Sequence, residues 1–156
     1  MARQLSIPSM ANYLLHLFGS NEAHMAIPTS NEIIQATEME LKAKFPESYR
    51  TYITECNGGE IENEEDCWEM ASIRGTTDKR TIKKTAYSVF ECTKSALDWQ
   101  FFPRNGIALG DNGLGDVMFM HKSNAAIGPE LYIYLHETGE SVRLANDFQE
   151  YLDECE

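Results

Sequence analysis

The residues best placed to do chemistry stand in the run Asp111-Asn112-Gly113-Leu114-Gly115-Asp116, which mixes two carboxylates, an amide and two glycines. Such a set could ligate a cation or cradle a phosphate. An EF-hand loop needs ligands at alternating positions and a glutamate at its twelfth, but the twelfth residue counted from Asp111 is Lys122. A phosphate cradle needs a helix to follow it, and the next apolar run reads as a strand. The spacing therefore predicts a structural turn, with glycines at positive φ and Asp or Asn side chains bonded to nearby amides.

Cys56 could serve as a thiol nucleophile with His121 or His136 as its base. It stands at the end of a helical pattern, where the dipole is negative, so its thiol should titrate higher and react less. The four histidines, His16, His24, His121 and His136, include no His-Glu-x-x-His pair. His136 and Glu137 are adjacent at a strand end and point to opposite faces, so a hydrogen-bonded histidine in a turn is the simpler role. Cys56, Cys67, Cys92 and Cys155 form no Cys-x-x-Cys pair and read as reduced thiols. No catalytic residue, metal site or cofactor is expected.

Charge is more informative. The 156 residues carry a net charge of −12. That sign excludes a binder that works by neutralising the phosphates of nucleic acid and makes a basic protein the natural partner. Glu55, Glu60, Glu62, Glu64, Glu65, Asp66 and Glu69 follow one another without a Lys or Arg. Glu137, Glu140, Asp147, Glu150, Asp153, Glu154 and Glu156 are interrupted by Arg143 alone. Arg74, Lys79, Arg80, Lys83, Lys84 and Lys94 concentrate in between, so the surface should be electrically lopsided. The run from Leu5 to Phe18 is broken by Pro8, Asn12 and His16 and is neither a signal peptide nor a membrane span. The expected compartment is the cytoplasm.

The elements that must carry these residues follow from periodicity. Hydrophobic residues make up 42% of the chain, enough for one domain over 1–156 with a core of its own. Met10, Tyr13, Leu14, Leu17 and Phe18 predict a helix in an N-terminal extension over 1–26. A helix capped at Thr29 follows, with Ile33, Ile34, Leu41 and Phe45 on one face. Phe45-Pro46 turns the chain into another helix, whose stripe of Tyr49, Tyr52, Ile53 and Cys56 ends at Asn57-Gly58-Gly59. A strand is predicted over 67–73 and one helix over 81–97. Strands over 107–109, 117–121, 131–136 and 141–144 and a helix begun by Asn146 complete the chain. The fold class is α+β, a mostly antiparallel central sheet with helices packed against it.

With the elements placed, three blocks resemble the SUKH superfamily of Smi/Knr-like domains. The first runs from Ile33 to Gly59 and carries Glu38, Leu41, Phe45-Pro46, Tyr49, Ile53 and Asn57-Gly58-Gly59. The second is Ile107-Ala108-Leu109-Gly110-Asp111-Asn112-Gly113 with Gly115-Asp116. The third is His136-Glu137-Thr138-Gly139 with Asp147-Phe148 and Tyr151-Leu152. The resemblance spans 27–156, with a variable stretch near 72–100. It implies a non-enzymatic binding domain, either a bacterial immunity protein that neutralises a secreted toxin or a regulatory scaffold of the fungal Smi/Knr type. A nuclease is the natural target, since it attracts phosphates with the Lys and Arg that an acidic inhibitor can occupy. Glu60, Glu62, Glu64, Glu65 and Asp66 are the candidates for steering such a toxin. Trp68 is the candidate anchor, with the core as its competing place. The oligomeric state is left open.

Overall fold

A computed structural model describes residues 29–75 and 78–155. The predicted N-terminal helix lies outside the described residues. Ser30, rather than Thr29, caps the first helix, α1 (Asn31–Leu41), its Oγ accepting from the Ile33 amide. The helix stops four residues short of Phe45. Lys42 takes the left-handed conformation at φ 58°, and the Ala43 amide closes the end on the Glu38 carbonyl. Pro46 then caps α2 (Glu47–Cys56), where the proline's missing amide costs the helix nothing.

The acidic stretch that gave no strand signal forms one. β1 (Gly59–Glu62) pairs antiparallel with β2 (Cys67–Met70), and Ile61, opposite Trp68, supplies its inward side chain. β2 is shorter than the predicted strand because the chain turns away after Met70: Ala71 still donates to Leu109, but Ser72 pairs with Ser88. The single helix predicted over 81–97 is two, α3 (Lys79–Lys84) and α4 (Val89–Ala96). Thr85 donates its hydroxyl to the Thr81 carbonyl while accepting from the Gly75 amide, and Ser88 caps α4 through the Glu91 amide. The tie from Gly75 to Thr85 and the new cap at Ser88 replace helical continuation between 85 and 88.

β3 (Gly106–Asp111) and β4 (Val117–Ser123) form the central hairpin. The short β5 (Ala126–Ile127) folds back on β4, β6 (Leu131–Leu135) and β7 (Glu140–Ala145) form a second hairpin, and α5 (Phe148–Glu154), capped by Asp147 rather than Asn146, closes the described chain. The strand order is β1-β2-β3-β4-β6-β7, all antiparallel, with β5 paired to β4. Helices packed on an antiparallel sheet were the expected α+β class.

The sheet is covered on both faces. On one, Tyr49, Tyr52, Ile53, Phe148 and Leu152 of α2 and α5 pack with Trp68, Leu109, Met118 and Leu131. The Tyr52 and Phe148 rings lie 4.6 Å apart. On the other, Ala108, Val117, Phe119 and Tyr134 pack with Ala96 and Phe102. α4 contributes to both clusters, Val89 to the first and Ala96 to the second. Thr93 of α4 accepts from the Ala108 amide at 3.0 Å, so the helix satisfies a β3 donor that β2 leaves unpaired.

Candidate functional site: an acidic hairpin and the loop that holds it

Alternation along β1 and β2 turns Ile61, Trp68 and Met70 inward and Glu60, Glu62, Cys67 and Glu69 outward. Glu60 stands opposite Glu69, and Glu69 stands opposite Asp111 on β3, so three acids cross three strands in register. Like charges directly opposite one another destabilise a sheet, and this row is held despite that cost. Trp68 is 1% exposed and faces the core, because it lies one residue out of phase with the acids. It is a packing residue and offers no surface to a partner.

The turn between the two strands is fixed by its own side chains. Asn63 Oδ1 accepts from the amides of Glu65 and Asp66 at 2.9 and 2.8 Å, and Asp66 Oδ1 accepts from Cys67 at 3.1 Å. Asp66 Oδ2 accepts from Asn112 Nδ2, so both Asp66 oxygens are engaged within the protein. Glu64 and Glu65 at the tip are exposed, and among the described residues neither forms an ion pair.

The loop 111–116 is the predicted turn. Gly113 and Gly115 take φ of +74° and +105°, Asp111 accepts from Gly113, and Asn112 Oδ1 accepts from Leu114 and Asp116. Asp116 Oδ1 receives the His136 amide and meets His136 Nδ1 at 2.8 Å. Partial burial pushes the Asp116 carboxyl up, but the bonds from His136 and Asn112 outweigh it and hold the group below its ordinary value. His136 is thus a hydrogen-bonded turn residue, and the chain His136–Asp116–Asn112–Asp66 joins the β6–β7 turn, the central hairpin and the acidic turn.

The second acidic cluster is used differently. Asp147 caps α5 through the Glu150 amide, Glu150 accepts from the backbone and side chain of Asn146, and Asp153 accepts from Gln149. These carboxylates secure the helix. Burial first, then Cys155 and Asp66, raise the Tyr151 hydroxyl. Asp66 of the acidic turn thus lies within electrostatic reach of Tyr151 on α5.

The arrangement offers no activated nucleophile among the described residues. Burial pushes the Cys56 and Cys92 thiols up to about 11, and Cys67 and Cys155 are raised as well. Cys67 responds first to desolvation and then to Glu60, Glu62 and Asp66, a sign of the local negative field. Among the described residues no three His, Cys, Asp or Glu side chains gather as a metal ion would need, and no helix is long and apolar enough to cross a membrane.

Five large apolar side chains are exposed among the described residues, Met39, Trp99, Phe101, Leu114 and Val142, and the residue pattern alone assigns none of them a surface role. Leu114 tips the polar 111–116 turn, and the Phe101 ring lies against Gly139 in the β6–β7 turn. The available signals were an aromatic run after a helix end and a lone leucine in a polar turn.

Residues 28–154 match the SMI1 / KNR4 family (SUKH-1). Comparison with curated proteins gives no match.

Proposed function

Because the chain belongs to the SMI1 / KNR4 family (SUKH-1), we propose that it is an immunity protein that binds the catalytic domain of a cognate toxin, a nuclease, and covers its active site. Family membership fits an immunity-type or Smi/Knr-like protein. The choice between these rests on one observation: Glu60, Glu62, Glu64 and Glu65 are exposed together on a hairpin whose turn is locked by Asn63 and Asn112. Carboxylates on a backbone already fixed accept charge-assisted bonds from Lys and Arg without the cost of ordering the turn. A nuclease must carry those cations where phosphate binds. Asp66 holds the turn in shape, and the four glutamates draw the toxin in by long-range attraction. An interface of ~1,600 Å² would enclose the hairpin and its surroundings.

Co-expression with the toxin encoded beside it should rescue growth. Replacing both Glu64 and Glu65 with Lys should slow association several-fold in dilute buffer and much less at ~1 M salt, where the Debye length falls to ~3 Å. Equal association rates in dilute buffer would remove the hairpin from the docking face. Stable partners in cells without any toxin, together with no rescue, would favour a regulatory scaffold of the Smi/Knr type.

A further inference from the structure

A cavity of about 440 Å³ opens beside α4 on the face of the sheet that carries Ala108 and Val117. Its volume falls within the ~300–1,000 Å³ typical of sites that take small ligands. Its walls include Ala96, Ala108, Val117 and Trp99. The indole is 39% exposed and packs against Tyr134 at 5.8 Å and Phe102 at 6.4 Å between ring centres. Two carboxylates, Asp111 and Glu91, line the same space, and among the described residues no Lys or Arg does. Asp111 is oriented by the Tyr87 hydroxyl and the Gly113 amide, and Glu91 has Arg74 at 3.9 Å on its exposed side. The Cys92 thiol, also in the lining, is raised by burial first, against an opposing pull from Tyr87, and further by Asp111, Glu69 and Glu91.

An apolar slot with an exposed indole and a negative field suits a long aliphatic stem that ends in a cation. A guanidinium suits it better than an ammonium: it is planar, stacks on an indole face, forks onto a carboxylate and is more weakly hydrated. We propose that this cavity receives an arginine side chain of the partner protein. The anchor of the interface then lies at Trp99 and Asp111, with the exposed Leu114 on the same loop as Asp111. This inference rests on the reading of the partner as a basic protein.

The probe is N-acetyl-arginine amide, titrated at millimolar concentration into the full chain and followed by the indole N–H signals of its two tryptophans. The Trp99 signal should shift and saturate, while that of the buried Trp68 stays in place. The uncharged isostere N-acetyl-citrulline amide should bind about tenfold more weakly, a difference of ~1.4 kcal/mol. Ser95 is exposed and lines the cavity, so Ser95→Arg supplies a cation from the protein itself and should abolish the response without burdening the fold. Asp111→Asn should weaken it. A silent Trp99 signal, equal binding of citrulline, or undiminished binding by S95R would each overturn the proposal. Probe binding without rescue from the toxin would sink the immunity reading and leave the cavity standing, and rescue with a silent cavity would do the reverse.

Discussion

The side-chain amide of Asn112 donates to Asp66 Oδ2 across 3.0 Å, tying the central hairpin to a turn 46 residues earlier in the chain. The same nitrogen lies 3.1 Å from Asp116 Oδ2, so one amide satisfies two carboxylates that would otherwise repel each other. The acidic turn therefore draws its shape from Asn63 within it and from Asn112 outside it.

Removing that amide should loosen the turn without unfolding the domain. Asn112→Ala should cost about 1 kcal/mol for each bond lost and speed amide exchange at Glu65 and Asp66. Asn112→Asp should cost more at pH 7, because it sets a third carboxylate between two. Crowded acids are raised in the folded state, so the extra loss is present at neutral pH and fades as pH falls toward the ordinary Asp value of ~3.9. Urea denaturation of both variants at pH 7 and pH 4 separates the two effects. An Asn112→Asp deficit that persists in acid would contradict the geometry.

Glu38 is a buried carboxylate that accepts from the Phe45 amide at 3.0 Å and from Arg50 Nη1 at 3.1 Å. It clamps the corner between α1 and α2. Glu38→Ala should cost about 1–3 kcal/mol, since it leaves the Phe45 amide buried and unpaired. Arg50→Ala should cost no more than about 1 kcal/mol, because the guanidinium is partly exposed and Glu38 keeps its backbone partner. The ranking can be read from urea midpoints, and equal losses would show that the ion pair rather than the amide cap sets the corner.

Much of this architecture was legible in the residues because it depends on local chemistry. Pro46 marks the start of α2 whatever surrounds it, and Asp111 to Asp116 build their own turn from Asx bonds and positive-φ glycines. The misreadings arose where distant segments decide. The break between α3 and α4 depends on Gly75 reaching Thr85 and on Ser72 pairing with Ser88. β1 was hidden because Ile61 is its one inward side chain, too short an alternation to recognise alone. The glutamates could be placed as an acidic patch, yet which of them is exposed follows from the β1–β2 register. That register also sends Trp68 into the core. The cavity beside Trp99 could not be foreseen, since its walls come from α4, β3, β4 and the chain after α4.

Gly110 marks a backbone approach that no other residue tolerates. A Cβ there would meet the Glu69 carbonyl oxygen at 2.4 Å and Met70 Cα at 3.0 Å, both main-chain atoms of β2. The β3–β4 register shifts between Ala108 and Gly110, and the β2–β3 pairing rests on Glu69–Asp111 and Met70–Gly110 alone. Gly110→Ala should therefore push β2 from β3 and cost about 1–3 kcal/mol, as overpacking does. Because β1 pairs with β2, amide exchange in the acidic hairpin should rise with it. Gly113→Ala meets no atom within 4 Å and faces only its positive φ, so it should leave the hairpin's exchange unchanged. Comparable exchange in the two variants would show that the close approach does not hold the strands together.

His121 gives the fold a pH dependence whose sign can be stated. Its Nδ1 lies 3.0 Å from Asn105 Oδ1, and its ring packs edge-on to Tyr132 at 4.7 Å and Phe119 at 5.1 Å. Burial disfavours the charged ring and lowers its pKa from the ordinary 6.5, against an opposing pull from Glu130. The unfolded chain therefore binds the proton first as pH falls. Stability on this account is full above 6.5, declines as pH drops through 6.5 toward the lowered folded value, and levels off once both states are protonated. His121→Gln, which cannot titrate, should lose less stability than the wild type between pH 7 and pH 5, as urea midpoints at half-unit steps would show. Subtracting the two profiles cancels the carboxylates they share. A wild type that instead gained stability over the variant on acidification would mean that Glu130, and not burial, governs the ring.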